Sequence, residues 1–166
     1  MVSVSASLRL IEAGRVGNII LWGPPGTGKT TLARIIAGRS DAHFEAFSAV
    51  SEGVPRIREI VAEAERRKRN RAQGTLLFLD EAHALKRNQQ DVLLPHVESG
   101  LLQLVAATTE NVSFELNRAL LSRCQVFRLE PLCPASIAEA LARALRATER
   151  GLGEWKLNAD ADALDL

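Results

Sequence analysis

Short apolar runs alternate with longer amphipathic ones along this chain. Asn18–Trp22 (NIILW), Phe44–Ser48, Thr75–Leu79 (TLLFL), Leu101–Ala107 (LLQLVAA) and Cys124–Leu129 are brief and rich in Leu, Ile, Val and Phe. Each is shorter than a typical helix and reads as a buried strand. Between them the period changes. Lys29–Arg39 places Leu32, Ile35 and Ile36 at helical spacing, and Pro55–Gln73 carries Ile57, Ile60, Val61 and Ala64 on one face. Gln89–Glu98 also has a helical pattern, which Pro95 is expected to end or kink, because it lacks an N–H and its ring crowds the preceding turn. Phe114–Leu121 reads as a short helix and Ser136–Arg150 as an amphipathic one. Five strands alternating with helices imply an α/β fold, a parallel sheet covered on both faces. Pro131 and Pro134 mark a boundary, giving an α/β domain over 1–131 and the start of a helical lid over 132–166. Leu8–Ala13 and the stretch from Asp160 are helical patterns at the two ends of the chain, as expected of a segment from a longer protein.

Composition narrows the class. The chain has 166 residues, 46% hydrophobic and 25% charged, which excludes a disordered segment. Lys and Arg number 21 against 20 Asp and Glu, so no overall basic charge advertises a polyanion. Aromatic residues are 4% and Tyr is absent, so the core must be aliphatic. Two cysteines, Cys124 and Cys133, make no zinc site and suit free thiols in a reducing cytoplasm. No apolar run approaches the roughly 20 residues that cross a bilayer, so no membrane partner is expected.

The candidate chemistry begins where the first strand stops. Gly23-Pro24-Pro25-Gly26-Thr27-Gly28-Lys29-Thr30 matches the phosphate-binding loop, with a strand before it and a helix after. Glycines let such a loop wrap tightly and turn its backbone N–H groups inward, and the helix that follows adds its positive end. The loop and first helical turn, Gly23 to Thr31 (Gly23, Pro24, Pro25, Gly26, Thr27, Gly28, Lys29, Thr30, Thr31), form the expected phosphate cradle. Lys29 is placed to reach the β- and γ-phosphates and the Thr30 hydroxyl to ligate Mg²⁺. The third strand delivers Asp80 and Glu81 to its carboxyl end, where open parallel sheets bind ligands. Asp80 suits the metal, directly or through water, and Glu81 suits orienting an attacking water. The fourth strand ends in Thr108 and Thr109, either of which could present a hydroxyl to the γ-phosphate. Arg66–Arg71 concentrates cations at a helix end, a pattern that fits a solvated terminus better than a DNA contact.

Ala107-Thr108-Thr109-Glu110-Asn111, then Ser113-Phe114-Glu115-Leu116-Asn117 and Ala119-Leu120-Leu121-Ser122-Arg123, resemble the replication-associated recombination protein A (RarA) family of AAA+ ATPases, in the clamp-loader clade. Gln89-Gln90-Asp91 and Leu94-Pro95-His96-Val97-Glu98 extend the likeness. Val112 and Arg118 depart from the family's usual Pro and Ser. The resemblance implies a three-layer α/β/α sandwich with sheet order 5-1-4-3-2, and ATP hydrolysis serving replication forks and recombination. Thr109 is then the residue that senses the γ-phosphate, with Thr108 and Asn111 as alternatives. Arg123 is the arginine finger that enters a neighbouring subunit's site, with Arg118 as a rival. Ser48 is a guess for the polar partner that restrains Glu81. The implied partners are DNA, further copies of the protein and a single-strand-binding protein, in the bacterial cytoplasm at the nucleoid. Turnover by this stretch alone is expected to be weak, because the finger acts in trans and the lid arginine of the family falls beyond Leu166. A clamp-loader subunit, a branch-migration motor and a nucleotide-gated binding module are the competing readings, and Glu81 argues against the last.

Overall fold

The computed structural model describes residues 17–111 and 116–147. Five strands, β1 (Asn18–Trp22), β2 (His43–Ser48), β3 (Thr75–Asp80), β4 (Leu102–Thr108) and β5 (Cys124–Arg128), form one sheet in the order β2-β3-β4-β1-β5. Every pairing is parallel, so the expected order is borne out. The helices are α1 (Lys29–Arg39), α2 (Val54–Arg71), α3 (Arg87–Glu98), α4 (Arg118–Leu121) and α5 (Pro134–Arg146), with a 3₁₀ turn at Ala82–Ala84. By internal contacts the chain divides into two units, Met1–Glu130 and Pro131–Leu166.

Strand alternation creates two cores. Ile19, Leu21, Leu76, Phe78, Val105 and Ala107 pack against Ala33, Ile36 and Ala37 of α1. Ile20, Leu77, Leu79, Leu104 and Ala106 pack against Ile57, Ile60 and Ala64 of α2, Leu93 and Val97 of α3, and Leu120 of α4. One helix on one face and three on the other make the three layers. Burial on both faces explains why β3 reads as an unbroken apolar run. Each large side chain so buried contributes roughly 1.5–3 kcal/mol relative to exposure. Cys124 opens β5, and burial pushes its thiol up to about 11.

Several element ends differ from expectation by a residue or two, as at His43–Ser48 and Val54–Arg71, and two further differences have a local physical cause. α3 runs through Pro95 to Glu98. Pro95 forfeits one hydrogen bond to the carbonyl of Asp91, and both residues are exposed. Water can therefore solvate that oxygen while Leu93 and Val97 hold the helix to the sheet. The short helix that ends at Leu121 begins at Arg118, after the non-helical Leu116 and Asn117. Asn117 caps it, its Oδ1 accepting the Leu120 N–H at 2.8 Å. Phe114 and Glu115, the helical pattern at Leu8–Ala13 and the stretch from Asp160 lie outside the described residues. Among the described residues no helix is long and apolar enough to cross a membrane.

Candidate nucleotide site at the carboxyl edge of the sheet

The sheet topology gathers separate segments at one edge. β1 pairs with β4 so that Trp22 stands opposite Thr108, and the Gly23 N–H donates to the Thr108 carbonyl at 3.2 Å. β3 is the other neighbour of β4, with Leu79 opposite Ala106, which carries Asp80 and Glu81 to the same edge. Ser48 is opposite Asp80 across β2 and β3.

The loop after β1 shows why its glycines are needed. A Cβ on Gly23 would stand 2.3 Å from the Leu129 carbonyl oxygen. This close approach is fixed by the Leu129 N–H donating to the Trp22 carbonyl at 2.7 Å. Gly26 and Gly28 instead adopt φ of 76° and 83°, the left-handed region that side chains disfavour. The Thr27 hydroxyl donates to the Pro24 carbonyl at 3.0 Å and closes the turn. Lys29 Nζ donates to the carbonyls of Gly23 (2.8 Å) and Pro24 (2.7 Å), so its charge sits inside the loop. Gly28 caps α1 without any side-chain bond. The first N–H groups of the helix, including those of Thr30 and Thr31, are thus left for an anion.

The acidic pair sits at the end of β3. Asp80 has the strand parity of Leu76 and Phe78, the α1 face. Its Oδ1 accepts the Glu81 N–H at 3.1 Å. Glu81 is in the left-handed region at φ 50°, ψ 51°. For a residue with a Cβ this conformation costs about 1–3 kcal/mol and is found where a site demands it. Its carboxylate lies 3.3 Å from His83 Nδ1. The expected partner, Ser48, is not among its contacts. Instead the Ser48 N–H donates to Glu52.

Thr108 ends β4 and is buried. Its hydroxyl accepts the Glu110 N–H at 3.1 Å and lies 3.2 Å from His83 Nδ1. Thr109 follows the strand, half-buried, on the parity of Val105 and Ala107 toward α1. Asn111 is exposed beyond it.

Arg123 is elsewhere. It precedes β5, at the amino edge of the sheet, because Cys124 pairs with Asn18. Its guanidinium donates to the Ala119 carbonyl (2.8 Å) and pairs with Glu98 (2.6 Å). Arg118 is exposed at the start of α4. Of the basic run, Arg66 pairs with Glu63, and Arg67 with Glu45 and Glu63. Sequence spacing alone missed His83 and Glu98. The only signal for His83 was its place two residues after Glu81.

The profile of the ATPase family associated with various cellular activities (AAA) matches residues 19–132, from β1 through the end of β5. The chain belongs to that family. It is similar to Replication-associated recombination protein A of Coxiella burnetii, with 53% identity over 149 residues, 90% of this chain and 33% of that protein. The protein of the same name from Escherichia coli K12 is 50% identical over 145 residues, covering 87% and 32%. ATPase WRNIP1 of Dictyostelium discoideum is 46% identical over 94% of this chain and 18% of its own length. Among solved structures, the Thermotoga maritima RuvB Holliday junction branch migration motor superposes with TM-score 0.66 at 30% identity, over 85% of this chain and 48% of that one. The chain therefore spans about a third of the two recombination proteins that it matches.

Proposed function

We propose that this AAA domain binds and hydrolyses ATP, and that in a longer protein it drives remodelling of DNA at replication forks. The observation that carries this reading is the Gly23–Thr108 hydrogen bond, which seats the phosphate loop beside the strand end next to Asp80 and Glu81. Lys29 and the free N–H groups of the first turn of α1 bind the phosphates. Thr30 and Asp80 offer hard oxygen donors, the kind Mg²⁺ prefers, and the metal would supply charge neutralisation across the phosphates. Glu81 accepts a hydrogen bond from the attacking water and orients it. Thr109, on the α1-facing parity, is the hydroxyl that senses the γ-phosphate, in preference to the buried Thr108.

Arg123 serves a neighbouring subunit. β1 and β5 run in parallel register, so Arg123 stands level with Gly17 while the loop begins at Gly23. At about 3.3 Å per residue, roughly 20 Å of strand separates the finger from its own site. That distance supports a homo-oligomer on DNA. The names of the recombination proteins favour a role in replication and recombination. A single-strand-binding protein is a further partner in this proposal. The likeness to a branch-migration motor favours a second reading, at lower identity.

The test is Glu81→Gln in the full-length protein. Nucleotide affinity should be kept while phosphate release falls about 10²- to 10⁴-fold, the usual contribution of a positioned general base. Hydrolysis at the parent rate would remove Glu81 from the mechanism.

A further inference from the structure

We propose that His83 is the positioning residue for Glu81, holding one carboxylate oxygen so that the other faces the attacking water. This inference rests on the reading of Glu81 given above and adds a residue to it. The 3₁₀ turn Ala82–Ala84 begins at Glu81, where the Ala84 N–H donates to the Glu81 carbonyl at 2.8 Å. That turn folds the imidazole back over the carboxylate, and Nδ1 comes 3.3 Å from Oε2. The same nitrogen lies 3.2 Å from the Thr108 hydroxyl. Thr108 in turn is bonded through its carbonyl to Gly23, the first residue of the phosphate loop. One imidazole nitrogen thus joins the acidic pair, the end of β4 and the phosphate loop.

A single ring nitrogen carries either a proton or a lone pair. Of its two neighbours, the Thr108 hydroxyl is the one in hydrogen-bonding line with Nδ1, as acceptor or as donor according to the tautomer, while the carboxylate of Glu81 approaches off that line at 3.3 Å. The hydroxyl therefore fixes the ring, and the fixed ring bounds one side of the carboxylate. The carboxylate is 42% exposed and its backbone is in the left-handed region, so nothing else among the described contacts fixes its rotamer. The ring, held by Thr108, supplies that constraint. It backs Oε2 and leaves Oε1 for water. Misplacing a reacting group by about 1 Å can cost roughly 10²-fold in rate.

The experiment uses the full-length protein with His83→Ala, His83→Asn and Glu81→Gln side by side, measuring kcat, nucleotide Kd and melting temperature. His83→Ala should lower kcat about 10- to 100-fold and leave Kd within about twofold. His83→Asn places an amide N–H near the position of Nδ1 and should recover most of the lost rate. A parent kcat for His83→Ala with an impaired Glu81→Gln overturns the role of His83 alone. Equal losses in the Ala and Asn variants, or losses that follow melting temperature and Kd, also overturn it, since they mark a structural residue. A parent rate for Glu81→Gln overturns the reading of Glu81 and this proposal with it.

Discussion

The two edges of the sheet are built from the same five strands and have opposite characters. Left-handed backbone occurs at both, in Gly26, Gly28 and Glu81 at the carboxyl edge and in Asp41, Ala72 and Gly100 just before strands at the amino edge. What sets the carboxyl edge apart is its open donors, because α1 starts there without a side-chain cap. At the amino edge the polar groups are largely tied down. Asn18 accepts the Leu104 N–H at 2.9 Å, and Arg123 is held by Glu98 and the Ala119 carbonyl. The difference teaches where the chemistry belongs. Open donors stand beside the acidic pair on one edge, and on the other Arg123 is docked on Glu98, in keeping with the roles proposed for them.

Four substitutions sharpen or break that contrast. The largest effect is expected for Arg123→Ala in the assembled full-length protein, which should keep nucleotide binding and lose about 10³- to 10⁵-fold in hydrolysis. Mixing it with Lys29→Ala should restore part of the activity. Absence of rescue at every ratio would give the role to Arg118 or make Arg123 structural. Lys29→Ala comes next. The phosphates lose charge-assisted bonds of about 1.5–3 kcal/mol each, so nucleotide affinity should fall by about 10²-fold or more in a fluorescent-nucleotide titration. Unchanged affinity would sink the phosphate-loop assignment.

Gly23→Ala tests the join between the edge and the core. The added Cβ meets the backbone oxygen of Leu129, which cannot rotate away. A loss of about 1–3 kcal/mol in urea unfolding is expected, the usual cost of overpacking. A neutral result would mean that the β1–β5 end is looser than its 2.7 Å hydrogen bond implies. The smallest effect is for Thr75→Val at the amino edge, where the buried Thr75 hydroxyl has no partner. Replacing it with a methyl should be neutral or stabilise by up to about 1 kcal/mol in the same assay. A clear destabilisation would show that the hydroxyl is bonded in solution.

Legibility in the sequence followed contiguity. The phosphate loop lies within a few consecutive residues, and its glycines sit where a left-handed turn or a close approach requires them. Asp80 and Glu81 are adjacent, at the end of an apolar run that could only be a buried strand. Pro95 misled, because the rule for proline describes its local cost, while Leu93 and Val97 decide whether the helix survives it. His83 gave no local signal for the same kind of reason. His83 meets Thr108 only because β4 inserts between β1 and β3.

The sequence by itself determined the elements, the loop that cradles an anion and the pair of acids, because each depends on periodicity or on neighbours in the chain. Tertiary structure decided the rest. It chose His83 rather than Ser48 as the neighbour of Glu81, docked Arg123 on Glu98, and set Arg123 and the loop on opposite edges of the sheet. Those relations depend on strand order and register, which bring together residues far apart in the chain and which no local pattern encodes.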